Sequence, residues 1–148
     1  MEVKEYYEQI SSGRDYIRDL ETHIRISRES LPDISSKPFD LDFTTGSKNL
    51  KSPQEIEITR IIELEEHLQG YKSRYQDLLI EADILLCKVR NFKIQSALRY
   101  FYIHGKSRIW VKDFFDRDER TIRRWFNEGF EQIVLPAKAI NLHELERR

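Results

Sequence analysis

The sequence predicts an all-α fold, and three properties of the chain lead to that prediction. Charged residues make up 34% of its 148 residues, above the roughly one quarter found in typical globular domains, so many helix faces must be solvated. Five Gly and four Pro leave few positions for the turns of a β fold. Apolar residues also recur in steps of three and four, which is the period of an amphipathic helix.

The first predicted helix carries an apolar seam along its whole length. The seam consists of Val3, Tyr6, Ile10, Gly13, Ile17, Leu20, Ile24, Ser27 and Leu31. Spacing that alternates between three and four residues is typical of helices packed in coiled-coil fashion. Pro32 follows the seam directly and is expected to end the helix.

A long connection is predicted at residues 31–52, where Ser, Pro, Asp, Lys and Gly predominate. Connections of this length without secondary structure are uncommon in compact domains. Phe39, Leu41 and Phe43 alternate with aspartates. The segment can therefore either lie extended along the helices or run free of them, and the sequence leaves both alternatives open.

A second long helix is predicted to begin after Ser52, which can cap it. Pro53 has the backbone angle of a first helical position, and Glu55 completes a capping box. The seam that follows, over about 30 residues and roughly 45 Å of helix, consists of Ile61, Leu64, Leu68, Tyr71, Tyr75, Leu78, Ala82, Leu85, Val89 and Phe92. Two matching seams predict a long antiparallel, coiled-coil-like hairpin over residues 1–90, and we expect it to form a homodimer.

Three shorter helices are predicted within residues 91–135. The first covers 91–104 and ends at Gly105, a residue type that commonly terminates helices. The second covers 107–115 and the third covers 119–133. Their apolar positions include Phe92, Ile94, Ala97, Leu98, Phe101 and Tyr102 in the first, and Ile109, Val111, Phe114 and Phe115 in the second.

A short break at residues 116–118 separates the second of these helices from the third, and Asp118 is suited to cap the third. This arrangement predicts a C-terminal helix-turn-helix domain at 91–135. A short tail helix is predicted within residues 136–148, before the chain ends.

The third short helix carries the chemistry of a DNA-recognition helix. Its apolar face is formed by Ile122, Trp125, Gly129, Phe130 and Ile133, and its opposite face by Arg120, Arg123, Arg124 and Asn127. Arg can bind phosphate or guanine, and Asn can read adenine. With phosphate-binding positions before and between the helices, the predicted DNA-binding residues are Lys106, Ser107, Arg108, Arg117, Arg120, Thr121, Arg123, Arg124 and Asn127. The alternative is a solvated basic face on a small helical bundle.

Charge is distributed unevenly along the chain, although the net charge is only −1. Residues 1–87 contain 11 basic and 18 acidic side chains, a balance of −7. Residues 88–130 contain 11 basic and five acidic side chains, a balance of +6. An asymmetry of this kind favours a nucleic-acid partner for the second segment.

The motif around the predicted turn resembles a known family. Gly105, Ser107, Val111, Phe115, Asp118, Arg120, Thr121, Ile122 and Arg124 match, without a gap, the pattern of ArpU- and RinA-type transcription regulators of Gram-positive phages and integrative elements. The stretch at 98–105 and the opening Lys4-Glu5-Tyr6 are also similar. The resemblance implies a helical N-terminal part and a helix-turn-helix similar to the fourth region of sigma factors.

Two positions depart from the family pattern. Lys112 stands where the pattern has a small Ala, and Asp116 stands where it has the Gly of the turn. Asp tolerates unusual backbone angles. A buried, unpaired ammonium is costly, so Lys112 is expected either to extend toward solvent or to force the two helices apart.

Other classes of function are not favoured by the sequence. His23, His67, His104 and His143 lack metal-ligand spacing, no nucleophile or phosphate-loop motif occurs, and we expect neither an enzyme nor a cofactor. The single Cys87 lies in an apolar run, which predicts a buried, reduced thiol in a cytoplasmic protein. No long apolar stretch predicts a membrane span, and the first residues do not resemble a signal sequence.

The sequence therefore predicts a DNA-binding transcription regulator of a phage or mobile element, acting on double-stranded DNA and possessing a homodimeric helical part. Host RNA polymerase, or another phage or host protein, is a further candidate partner. One alternative is a non-catalytic interaction or inhibitor protein that binds its partner through the helical hairpin. Another is a DNA-packaging protein similar to the small subunit of terminase.

Overall fold

A computed structural model describes residues 1–31 and 52–146, and over these residues the fold is all-α, as predicted. The helices are α1 (Val3–Glu29), α2 (Pro53–Leu86), α3 (Phe92–Leu98), α4 (Arg108–Phe115), α5 (Glu119–Glu131) and α6 (His143–Glu146). A π-helical turn, Arg99–Ile103, continues α3. No strand occurs in the described ranges. The predicted connection containing Phe39, Leu41 and Phe43 lies outside the described residues.

The chain forms two compact units. Unit 1 consists of Met1–Tyr16 and Tyr71–Arg148, and unit 2 consists of Ile17–Gly70. Both long helices contribute to both units. The predicted division into a helical part at 1–90 and a separate domain at 91–135 stays a prediction.

In unit 1, the beginning of α1 lies beside the end of α2. The Tyr6 hydroxyl donates to Glu81 Oε1 at 2.7 Å, and the Tyr7 hydroxyl donates to the carbonyl of Ala82 at 2.8 Å. Burial raises the pKa of both phenols well above the ordinary value, so both remain neutral donors. Further along, the rings of Tyr16 and Tyr71 are 4.5 Å apart, so the two helix segments run antiparallel.

In unit 2, the end of α1 contacts the first half of α2. Arg28 forms an ion pair with Glu65, and Arg60 Nη2 donates to Ser27 Oγ at 3.1 Å. Apolar contacts come from the predicted seams: Leu20, Ile24, Ile61 and Leu68 are all buried. A surface groove of about 780 Å³ lies between these segments.

The second helix begins as the sequence predicts but ends earlier. Ser52 Oγ accepts a hydrogen bond from the Glu55 amide at 3.1 Å, which caps α2. The helix stops at Leu86. Cys87 is consequently exposed, in the turn after the helix, and the prediction that it is buried was wrong. Phe92 was also placed wrongly on the buried seam: it starts α3 and is 75% exposed.

The C-terminal tail is held against α1 by one buried amide. Gln9 is 2% exposed; its Nε2 donates to the Ile140 carbonyl at 2.7 Å, and its Oε1 accepts from the Leu142 amide at 3.0 Å. Glu81 accepts from the Ile140 amide at 3.2 Å. The helix described in the tail, His143–Glu146, lies within the predicted range. It begins only at His143, because the backbone of residues 140–142 binds α1 and α2.

Candidate nucleic-acid interface

Helices α4 and α5 are joined by three residues, 116–118, whose conformation is fixed locally. Ser107 caps α4, since its Oγ accepts from the Trp110 amide at 3.1 Å. At the other end Asp116 adopts the left-handed conformation with φ 52°, and the Arg117 amide donates to the Lys112 carbonyl at 3.0 Å. Asp at this position therefore takes the conformation for which the turn favours Gly.

Asp118 starts α5 as predicted. Its Oδ1 accepts from the Thr121 amide at 2.9 Å. Hydrogen bonds from the Thr121 hydroxyl and amide hold the pKa of Asp118 below its ordinary value of 3.8. The ionised carboxylate thus satisfies an amide that would otherwise lack a partner at the helix N-terminus.

The inner face of α5 packs on α3 at close range. Ile122, Phe126 and Gly129 are buried, as is Ile133. A Cβ at Gly129 would lie 2.4 Å from Leu98 Cδ1, so only glycine permits this approach. Phe126 was not predicted as part of this face, although helical spacing places it between Ile133 and Phe130 on the same side of the helix.

The outer face of α5 presents the four side chains predicted to read DNA. Arg120, Arg123, Arg124 and Asn127 are all exposed. Thr121, at the margin, is half-buried and engaged with Asp118. Three guanidinium groups and one amide are therefore gathered on one solvent-facing surface, which we name the α5 face (Arg120, Arg123, Arg124 and Asn127).

The candidate phosphate ligands outside α5 have different surroundings. Lys106, Ser107 and Arg117 are exposed. Lys106 Nζ lies 5.1 Å from the centroid of the Trp110 ring, and the Arg117 guanidinium carbon lies 5.9 Å from a ring centroid of Trp125. Both cations thus rest on aromatic rings while remaining accessible to a ligand.

Arg108 has a mainly structural environment. Its guanidinium carbon lies 4.9 Å from the Phe101 ring centroid and 4.5 Å from that of Phe126. Its side chain is 33% exposed, and its Nε lies 3.7 Å from Glu119 Oε1. The guanidinium is thus held between two rings and a carboxylate, and Arg108 is less exposed than Lys106 and Arg117.

Lys112 is accommodated by an ion pair. Its side chain is 33% exposed, and its Nζ lies 3.8 Å from Glu119 Oε2. The first of the two predicted outcomes therefore holds: the ammonium reaches the surface, where a carboxylate on α5 compensates its charge. Glu119 could not be predicted as this partner, because pairing between neighbouring helices leaves no local pattern in the sequence.

The outer side of α4 is more apolar than predicted. Ile109 and Phe114, expected on the buried face, are 69% and 55% exposed. Only Val111 is fully buried in this helix, since an eight-residue helix has room for few inward positions. Phe114 instead stacks on Trp110, with ring centroids 5.0 Å apart and planes 10° apart.

The loop before α4 is fixed by a residue far away in sequence. The π-helical turn is closed by the His104 amide, which donates to the Arg99 carbonyl at 3.0 Å. Gly105 then takes φ 70°, and Arg14 Nη2 donates to the Tyr102 carbonyl at 2.8 Å. The helix end at Gly105 was predicted, whereas the π-helical turn and the contact with α1 were not.

No family model, curated protein or solved structure matches this chain. The resemblance to the phage regulators therefore rests on the motif residues alone. Within the described part of the chain, no group of three or more His, Cys, Asp and Glu side chains could hold a metal ion. None of the helices described there combines the length and apolar character that crossing a membrane requires.

Proposed function

We propose that this chain is a DNA-binding transcription regulator of a phage or mobile element, and that α4 and α5 act as a helix-turn-helix. The observation that carries the proposal is the α5 face: three exposed arginines and Asn127 on a helix with a buried opposite side. In this proposal α5 enters the major groove of double-stranded DNA. The resemblance of residues 105–124 to the ArpU and RinA type of regulator supports the regulatory role.

The surroundings of the α5 face support two different roles for the cations, one in binding phosphate and one in reading bases. Lys106 and Arg117 are exposed and rest on aromatic rings, which suits contacts to the phosphate backbone that set the position of the protein. Arg120, Arg123 and Asn127 lie on the face itself. At the matching site we assign them to base edges, and on other sequences we assign Arg123 to phosphate. A bidentate Arg–guanine or Asn–adenine pair contributes about 1–3 kcal/mol of discrimination.

Selection of bound sequences from a randomised duplex library tests the proposal. The wild type is expected to enrich a defined site, and Arg120→Ala or Arg123→Ala to lose preference at one or two positions of it. Arg74→Ala removes an exposed arginine of α2 and serves as the matched control that keeps the full preference. Enrichment of no sequence by the wild type contradicts the proposal.

We further propose that a second copy of the chain packs on unit 2, because paired recognition helices read paired half-sites. Ile26 and Ile62 are 51% and 47% exposed there, and Ile62 lines the groove together with Ile24 and Leu68. Exposed isoleucines beside an apolar groove suit burial in an interface.

Sedimentation at micromolar concentrations tests the dimer. The wild type is expected to sediment as a dimer and Ile62→Glu as a folded monomer. Ile80→Glu, which places the same charge at a position 60% exposed in unit 1, is the matched control and should leave the dimer intact. A monomeric wild type, or dimers of Ile62→Glu, would overturn this assignment.

A further inference from the structure

The carboxylate of Glu119 is surrounded by cations from two helices. Arg108 Nε lies 3.7 Å from Oε1, Lys112 Nζ lies 3.8 Å from Oε2, and Arg123 Nη2 lies 3.9 Å from Oε1. Arg108 and Lys112 belong to α4, whereas Arg123 lies one turn beyond Glu119 on α5. One carboxylate therefore lies near three positive charges at the start of the helix proposed to read DNA.

The three cations differ in their freedom to leave this carboxylate. Arg108 is fixed between the rings of Phe101 and Phe126, and the side chains of Arg108 and Lys112 are each 33% exposed. The Arg123 side chain is 69% exposed, and its contact with Glu119 is the longest of the three. An exposed ion pair of this kind is weak. Arg123 is therefore the cation that can leave Glu119 and bind a phosphate instead.

We infer that Glu119 is a positioning residue that holds Arg123 along α5 in the free protein and competes with DNA phosphate for it. The inference rests on the proposed function and adds that the Glu119 carboxylate sets how strongly the protein binds the phosphate backbone of DNA. Every duplex must displace Glu119 from Arg123 and approach its negative charge, so the carboxylate lowers affinity whatever the base sequence. Neutral Gln in its place removes both the competing partner and the repulsion.

A double-mutant cycle on a duplex of random sequence tests this role. At low salt, Glu119→Gln is expected to bind about three- to tenfold more tightly than the wild type, with a steeper salt dependence. In the Arg123→Ala background the gain should fall to half or less, because the competition no longer exists. Glu128→Gln, which removes another exposed carboxylate of α5, is the control and should tighten binding less.

The alternatives give different results in the same cycle. If Glu119 only supports the fold, Glu119→Gln lowers the melting temperature and weakens binding, which overturns the inference. If it acts only through its charge, the gain is the same with and without Arg123, which also overturns it. Glu119→Asp keeps the negative charge and should bind DNA about as tightly as the wild type. It therefore tests the role of the carboxylate even where the Gln variant folds poorly.

Failure of the proposed function is separable from failure of this inference. If the wild type binds no duplex, the same four proteins are compared by the salt concentration that elutes them from immobilised heparin, a polyanion without bases. A later elution of Glu119→Gln that depends on Arg123 supports the competition even without DNA binding. An elution unaffected by Arg123 contradicts it.

Discussion

At the scale of single residues, Gly129 determines how closely α5 approaches α3. It is buried, and a Cβ there would lie 2.4 Å from Leu98 Cδ1 and 3.1 Å from Ile94 Cγ2. Leu98 is itself fully buried, so its side chain has little room to move. The helix that carries the α5 face is thus packed against Leu98 so closely that position 129 has no room for a side chain.

Gly129→Ala is predicted to destabilise the protein by about 1–2 kcal/mol, because the strain of overpacking exceeds the helix propensity that Ala gains. Chemical denaturation measures this change. Gly70→Ala is the matched control, since nothing lies within 4 Å of a Cβ at this helical position. That variant should gain roughly 0.5–1 kcal/mol, and a stabilised Gly129→Ala would contradict the packing described for α5.

Asp118 makes a pH-dependent contribution at the N-terminus of α5. Because its pKa is lowered in the folded protein from the ordinary value of 3.8, its stabilisation is complete above that value and is lost as pH falls through the folded pKa. Asp118→Asn should therefore melt below the wild type at pH 7, and the difference should disappear in strong acid. Asp113→Asn, at the C-terminal end of α4, is the control; an Asp118→Asn difference that persists at low pH would contradict the assignment.

Residue-scale predictions from the sequence succeed where the signal is local. The caps at Ser52 and Asp118 and the helix end at Gly105 follow from the preferences of single residues in short windows. The partners of Arg108 and Lys112 depend on how α4 meets α5 and α3, and no local spacing encodes that. Glu119 was missed for the same reason, whereas Phe126 lies four residues after Ile122 and could have been found from helical spacing alone.

At the scale of elements, the apolar spacing predicted which side of each helix is buried better than it predicted where the helix ends. The buried side of α2 agrees with the predicted seam as far as Leu85. The apolar spacing then continues through Val89 to Phe92 across a turn, so the sequence alone extends the helix too far. The end at Leu86 depends on the packing of the following helices, since Val89 remains buried outside any helix.

The tail is an element that side-chain chemistry fixes in place. Gln9→Ala is predicted to cost about 1–3 kcal/mol, because the buried Ile140 carbonyl and Leu142 amide lose their partner. Hydrogen exchange should show faster exchange at Leu142 while amides of α5 keep their protection. Ser12→Ala, at an exposed position of the same helix, is the control, and unchanged exchange at Leu142 in Gln9→Ala contradicts the role of Gln9.

At the scale of the whole molecule, the uneven charge along the chain is the property that most constrains its function. The +6 balance of residues 88–130 includes the α5 face and the accessible Lys106 and Arg117. The sequence was sufficient to predict the all-α class and the exposure of the α5 face. DNA binding depends on a partner surface, and it stays a proposal until binding is measured.

The most direct test of that proposal is the affinity of the full chain for duplex DNA as a function of salt, measured by fluorescence anisotropy. For the wild type we predict that the logarithm of the binding constant falls linearly with the logarithm of the salt concentration. The slope should be about −0.9 for each phosphate neutralised. For the Arg120→Ala, Arg123→Ala, Arg124→Ala triple variant we predict weaker binding and a shallower slope, whereas Arg74→Ala should behave as the wild type. Absence of binding by the wild type at low salt, or equal slopes for the wild type and the triple variant, would contradict the account.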